Sequence, residues 1–95
     1  MRASGRAGLT TGNGWEAVNV YTQRFRATCP STRRTVDYVL TIESSRMIMV
    51  EEIQATVAKL KGYHEELADK LFALFGGRQT LTAHHHGTDI QTVRP

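Results

Sequence analysis

Cys29-Pro30-Ser31-Thr32, Asp37 eight positions after the cysteine, and His64-Glu65 further on are the residues of this chain whose types and spacing could do covalent chemistry. Cys29 is the only cysteine, which excludes an internal disulfide and a cysteine-rich metal site. A thiol followed by a carboxyl group and a His-Glu pair offers a nucleophile, an acid and a substrate anchor. The competing interpretation of a lone cysteine is a small buried hydrophobe. Pro30 favours the first: it cannot donate to a strand's hydrogen-bond ladder, so it sets Cys29 at a strand end, where functional side chains gather. Arg24, Arg26, Arg33 and Arg34 lie close by in sequence. Such a cluster serves either as a solvated face or as an attractor for a phosphate or nucleic-acid backbone.

The elements that must position these residues follow from periodicity. Residues 1–14 are rich in Gly, Ser, Thr and Arg and read as a flexible lead-in, leaving 15–95 as one folded domain. From Ala17 to Thr28 the β-branched and aromatic residues predict a long strand, with a bulge where their parity changes. After a polar turn, Val36, Tyr38, Leu40 and Ile42 alternate with polar positions, so a second strand closes an antiparallel hairpin. Val50, Ile53, Val57 and Leu60 fall on one face of a helix. Gly62 interrupts, and Leu67, Ala68, Leu71, Phe72, Leu74 and Phe75 form the stripe of a second helix that Gly76-Gly77 stops. Arg78 to His85 and Thr88 to Arg94 are two further strands, with Gly87 supplying the positive φ of a tight turn. The order strand, strand, helix, helix, strand, strand makes an α+β fold, a four-stranded antiparallel sheet with two helices on one face.

Composition narrows the setting. The net charge is +3 over 95 residues. A chain this short buries only about 60–65% of its unfolded surface, so assembly into a homo-oligomer is expected to supply the missing burial. No apolar run reaches the length of a membrane span, and the N-terminus lacks the apolar core of a signal peptide. A soluble, cytoplasmic protein is expected, and an unpaired cysteine suits that reducing compartment.

Cys-Pro-x-Thr leaving the first strand, Asp37, Val50-Glu51 on the first helix and His64-Glu65 opening the second resemble the tunneling-fold superfamily. Within it the likeness is to the queuosine-pathway 7-cyano-7-deazaguanine nitrile reductases and their small archaeosine-forming relatives, over residues 22 to 94. The resemblance implies a tunneling fold closed into an oligomeric barrel, and an enzyme that attacks a nitrile. Cys29 would be the nucleophile, forming a covalent thioimide, and Asp37 the proton donor. Glu65 would grip the guanine-like edge of 7-cyano-7-deazaguanine, with His64 and Glu51 also on the substrate. That substrate would be the free base or a base within a nucleic acid. The family usually places its aspartate seven residues after the cysteine, whereas here the interval is eight. The Glu-Ser-Lys-Ser-type segment that serves NADPH in the reductases is replaced by Glu51-Glu52-Ile53-Gln54-Ala55-Thr56, although Lys59 and Lys61 could still meet a phosphate. The archaeosine-forming relatives also lack that segment and add ammonia to give a formamidine, so amidine formation is favoured over reduction.

His84-His85-His86 invites a metal reading. On a strand, His84 and His86 point one way and His85 the other, so the run offers two ligands at most to one zinc. The pterin synthases of the same superfamily add a third histidine from an earlier strand, and none precedes His64 here. No metal is expected, and the run reads as polar strand-end residues. Met47, Ile48 and Met49 are taken as core or subunit contacts, and Trp15 as a seal on the sheet edge. A separate functional class is a non-catalytic basic module that binds phosphate or nucleic acid, although no aromatic single-strand platform or helix-turn-helix supports it.

Overall fold

Alternating side chains build the first hairpin. In the computed structural model, which describes residues 18–85 and 87–95, β1 (Asn19–Thr28) and β2 (Thr35–Ser44) pair antiparallel. The lead-in over 1–14, the domain start at residue 15 and the role given to Trp15 lie outside the described residues. The register runs unbroken from Asn19 opposite Ser44 to Thr28 opposite Thr35, so the bulge expected in β1 is not there. Val18 and Val20 are exposed while Tyr21, Phe25 and Ala27 turn inward.

Two helices cross over before the chain re-enters the sheet. α1 (Val50–Val57) opens with Glu51 and Glu52 in its first turn, where negative charge suits the helix dipole. It buries Ile53 and Val57 but leaves Val50 half-exposed, and it ends before Leu60, which packs against the core from the following loop. α2 (His64–Phe75) buries Leu67, Ala68, Leu71 and Phe75, while Leu74 faces outward. Of the methionine segment, Ile48 is core, whereas Met47 and Met49 are exposed.

β3 (Arg78–His85) and β4 (Thr88–Arg94) complete a sheet of order β1-β2-β3-β4, antiparallel throughout. Gly76-Gly77 makes the return from α2 to β3 possible. Gly77 has φ +70°, and a Cβ there would sit 2.5 Å from the Glu43 carbonyl oxygen, so both conformation and space require glycine. Carbonyls at the end of α2 and at its cap also accept from side chains outside the helix, which helps satisfy the helix end. Buried Gln79 donates its amide to Leu71 O at 2.9 Å and Gly76 O at 2.8 Å, and Arg46 donates to Phe75 O at 3.2 Å. These bonds lock α2 to the sheet.

Both helices lie on one face, where Val36, Tyr38, Leu40, Ile42, Leu81 and Ala83 meet Ile53, Leu67, Leu71 and Phe75 in a single core. The opposite face carries Arg24, Arg26, Asp37, Glu43, Arg78, His84 and Asp89, all exposed.

Candidate active site

Cys29 is set by the hairpin turn. Its N–H donates to Arg34 O at 2.9 Å and its carbonyl accepts from Arg33 N–H at 2.8 Å, with Arg33 held at φ +60°. One step past Thr28, the cysteine shares the inward parity of Phe25 and Ala27 and packs against the edge of the core. Its Sγ lies 3.4 Å from Ser31 Oγ. The Ser31 hydroxyl, followed by the Thr32 backbone N–H and hydroxyl and the Ser31 backbone N–H, pulls the thiol down to about 6, against a small opposing effect of burial. Hydrogen bonds from the turn favour the thiolate.

The thiol borders a pocket of about 230 Å³ walled by Val36, Tyr38, Tyr63, His64, His85 and Ile90. Its walls are chiefly apolar, with a few polar groups, as ligand pockets generally are. Tyr38 is stacked on Phe25 (centroids 5.0 Å apart, planes at 11°) and on His64 (5.8 Å, 20°). Burial first, and then the nearby Cys29 charge, push the Tyr38 phenol above its ordinary value, so it stays protonated.

His64 occupies the first position of α2 and reaches the sheet, its Nε2 lying 2.7 Å from Thr92 Oγ1 on β4. Among the described residues its Nδ1 is buried without a partner. An orphaned lone pair is better tolerated than an orphaned N–H, which assigns the proton to Nε2, donated to Thr92. Burial holds the imidazole below its ordinary value. The Glu65 charge opposes that shift and Arg94 assists it, so the ring is neutral at pH 7.

The structure therefore brings Cys29 and His64 to one pocket and leaves the other sequence candidates outside it. Asp37 projects from the opposite face of the sheet and accepts a 2.8 Å bond from Arg26, both side chains being largely exposed. Because strand side chains alternate, the residue seven positions after Cys29, Val36, turns to the pocket, and the eighth, Asp37, turns away. Glu65 is exposed beside His64 and does not line the pocket. Glu51 is exposed on α1, which packs on β1, and is not in the pocket wall either.

The basic cluster divides as well. Arg24 and Arg26 belong to the open face, Arg33 and Arg34 to the turn. His84 pairs with Asp89 across the final hairpin at 2.5 Å, His85 faces the pocket, and His86 lies outside the described residues. Among the described residues no three His, Cys, Asp or Glu side chains gather as a metal site. Sequence reasoning passed over Tyr38, His85 and Ser31 as site residues. The first two were legible from parity, since they share a face with Val36 and Ala83; for Ser31 the only signal was its adjacency to Cys-Pro.

No known family model matches the sequence, and no curated protein matches it. Among solved structures, the crystal structure of the archaeosine synthase QueF-like in its apo form superposes with a TM-score of 0.64. The two are 19% identical, and the match covers 81% of this chain and 90% of that one. Likeness at this identity is likeness of fold: the chain has the strand-strand-helix-helix-strand-strand tunneling fold expected from its sequence.

Proposed function

We propose that this protein modifies 7-cyano-7-deazaguanine at its nitrile, adding the Cys29 thiolate to the nitrile carbon and then ammonia to the resulting thioimide. The observation that carries this reading is a cysteine held near 6 by its own turn, at the wall of an apolar pocket with a neutral histidine. The fold shared with an archaeosine synthase supports the choice of substrate. A nitrile carbon is a soft electrophile, so a thiolate is its matching nucleophile. Addition gives a neutral thioimide once the nitrogen gains a proton. Ammonia adds to the same carbon, and collapse expels the thiolate and leaves a formamidine. No reductant is consumed, which fits a first helix without the Ser-Lys pattern of the NADPH-using reductases. Glu65, exposed beside His64 and outside the pocket wall, would accept from the ring N–H and the exocyclic amine of a guanine-like edge that extends past the pocket mouth.

Assembly belongs to the same proposal. Among the described residues both edge strands, β1 and β4, have an unpaired side, and such edges invite pairing. Closing them makes a cyclic homo-oligomer with pockets at subunit boundaries; a stable monomer at micromolar concentration in light scattering contradicts it.

The test is product analysis by mass spectrometry after incubation with 7-cyano-7-deazaguanine, as free base and within tRNA, with ammonium or with NADPH. Formamidine in the ammonium arm supports the reading, and the arm with the active substrate form identifies it. An aminomethyl product in the NADPH arm alone makes the protein a reductase. No product in any arm, with ligand affinity unchanged by Cys29→Ala, makes it a binding module.

A further inference from the structure

We propose that Tyr38 is the proton donor to the nitrile nitrogen when the Cys29 thiolate adds. This deepens the covalent reading above and rests on it. The addition needs an acid inside the pocket, because the nitrogen that receives the π electrons is strongly basic. The carboxyl group that the sequence offered, Asp37, is on the other face of the sheet and paired with Arg26, and the position of matching parity in the pocket wall is Val36.

Besides Cys29, the proton-bearing side chains of the pocket wall are Tyr38, Tyr63, His64 and His85. His64 has its Nε2 engaged with Thr92 and its Nδ1 buried, so neither nitrogen presents a proton to the cavity. Tyr38 lines the same pocket as Cys29, close enough for the thiolate charge to act on it. Its ring stacks on both Phe25 and His64, which holds it in the pocket wall before substrate arrives. The phenol is neutral at working pH for the reasons given above.

The step balances. The sulfur–carbon bond forms, one C–N π pair moves to nitrogen, and that pair takes the Tyr38 proton. The negative charge that began on sulfur ends on the phenolate oxygen. Water at the pocket mouth reprotonates the phenolate before the next cycle.

The experiment is rapid mixing of the full chain with 7-cyano-7-deazaguanine, acid quenching, and intact-mass time courses over a range of substrate concentrations. Tyr38→Phe keeps both ring contacts. It is expected to lower the limiting rate of adduct formation on the order of 100-fold, with the half-saturating concentration and the iodoacetamide alkylation rate of Cys29 unchanged. Should Tyr38→Phe fail to fold, difluorotyrosine placed at position 38 keeps ring and hydroxyl; the alkaline limb of the pH–rate profile then moves to lower pH. A wild-type rate in Tyr38→Phe, or an unmoved alkaline limb, overturns the inference while the thioimide stands. So does a comparable loss in Asp37→Asn or His85→Gln without one at Tyr38. Absence of any adduct in wild type removes the covalent reading itself, and this inference with it.

Discussion

The sheet's two faces are built by the same four strands, one residue out of step. On the helix-covered face Val36, Tyr38, Leu40 and Ile42 of β2 are nearly inaccessible, and its end forms the Cys29 pocket. On the open face the register sets Arg26, Asp37, His84 and Asp89 side by side across the four strands, Arg26 and Asp37 joined as an ion pair and His84 and Asp89 in hydrogen-bond contact. One face excludes water and tunes a thiol and a phenol; the other leaves its charges solvated. With side chains alternating at every residue, turn length decides which group after Cys29 meets it. One residue separates an acid in the pocket from an acid in solvent.

Core truncation should separate the faces most. Leu71→Ala removes a fully buried side chain and should cost about 2–5 kcal/mol. Exposed Gln91→Ala on the open face should stay within about 0.5 kcal/mol; urea unfolding measures both. Next is the thiol. Cys29 alkylation by iodoacetamide should rise with pH about a midpoint near 6, and Ser31→Ala should move that midpoint upward, because the Ser31 hydroxyl is the largest cause of the lowering. A midpoint unchanged in Ser31→Ala would assign the thiolate to some other cause.

His64 gives a smaller effect with a definite sign. Its folded value lies below the ordinary 6.5, so the unfolded chain binds the proton more readily. The contribution is complete above 6.5 and is lost as pH falls through the folded value. Thermal melts should therefore decline over that acid window, and the decline should flatten in His64→Gln. Smallest is Asp37→Ala. An exposed pair with Arg26 should be worth less than about 1 kcal/mol and vanish in high salt. A larger loss would mean that the open face is covered in the assembled protein.

Much of the fold was legible because its punctuation is local. Gly76-Gly77 and Gly87 bracket β3 and β4, and both strands run over the expected residues. The β1 bulge failed because the open face tolerates Val18 and Val20 without a change of register. α1 stops short of Leu60, which still packs on the core from a loop, so an apolar spacing outlived its helix. That Cys29 and His64 line one pocket follows from the strand and helix ends that carry them. Asp37 was misplaced because its side relative to Cys29 depends on the turn, including the left-handed Arg33. Nothing in residue type announces that conformation in advance.

The central claim is that Cys29 attacks a nitrile in this pocket. Its most direct test is the intact mass of the protein after mixing with 7-cyano-7-deazaguanine without ammonium or reductant. Wild type should gain the whole mass of the substrate, and Cys29→Ala should gain nothing. An unmodified wild-type chain, under conditions where iodoacetamide still alkylates Cys29, would contradict the account, as would an equal gain in Cys29→Ala.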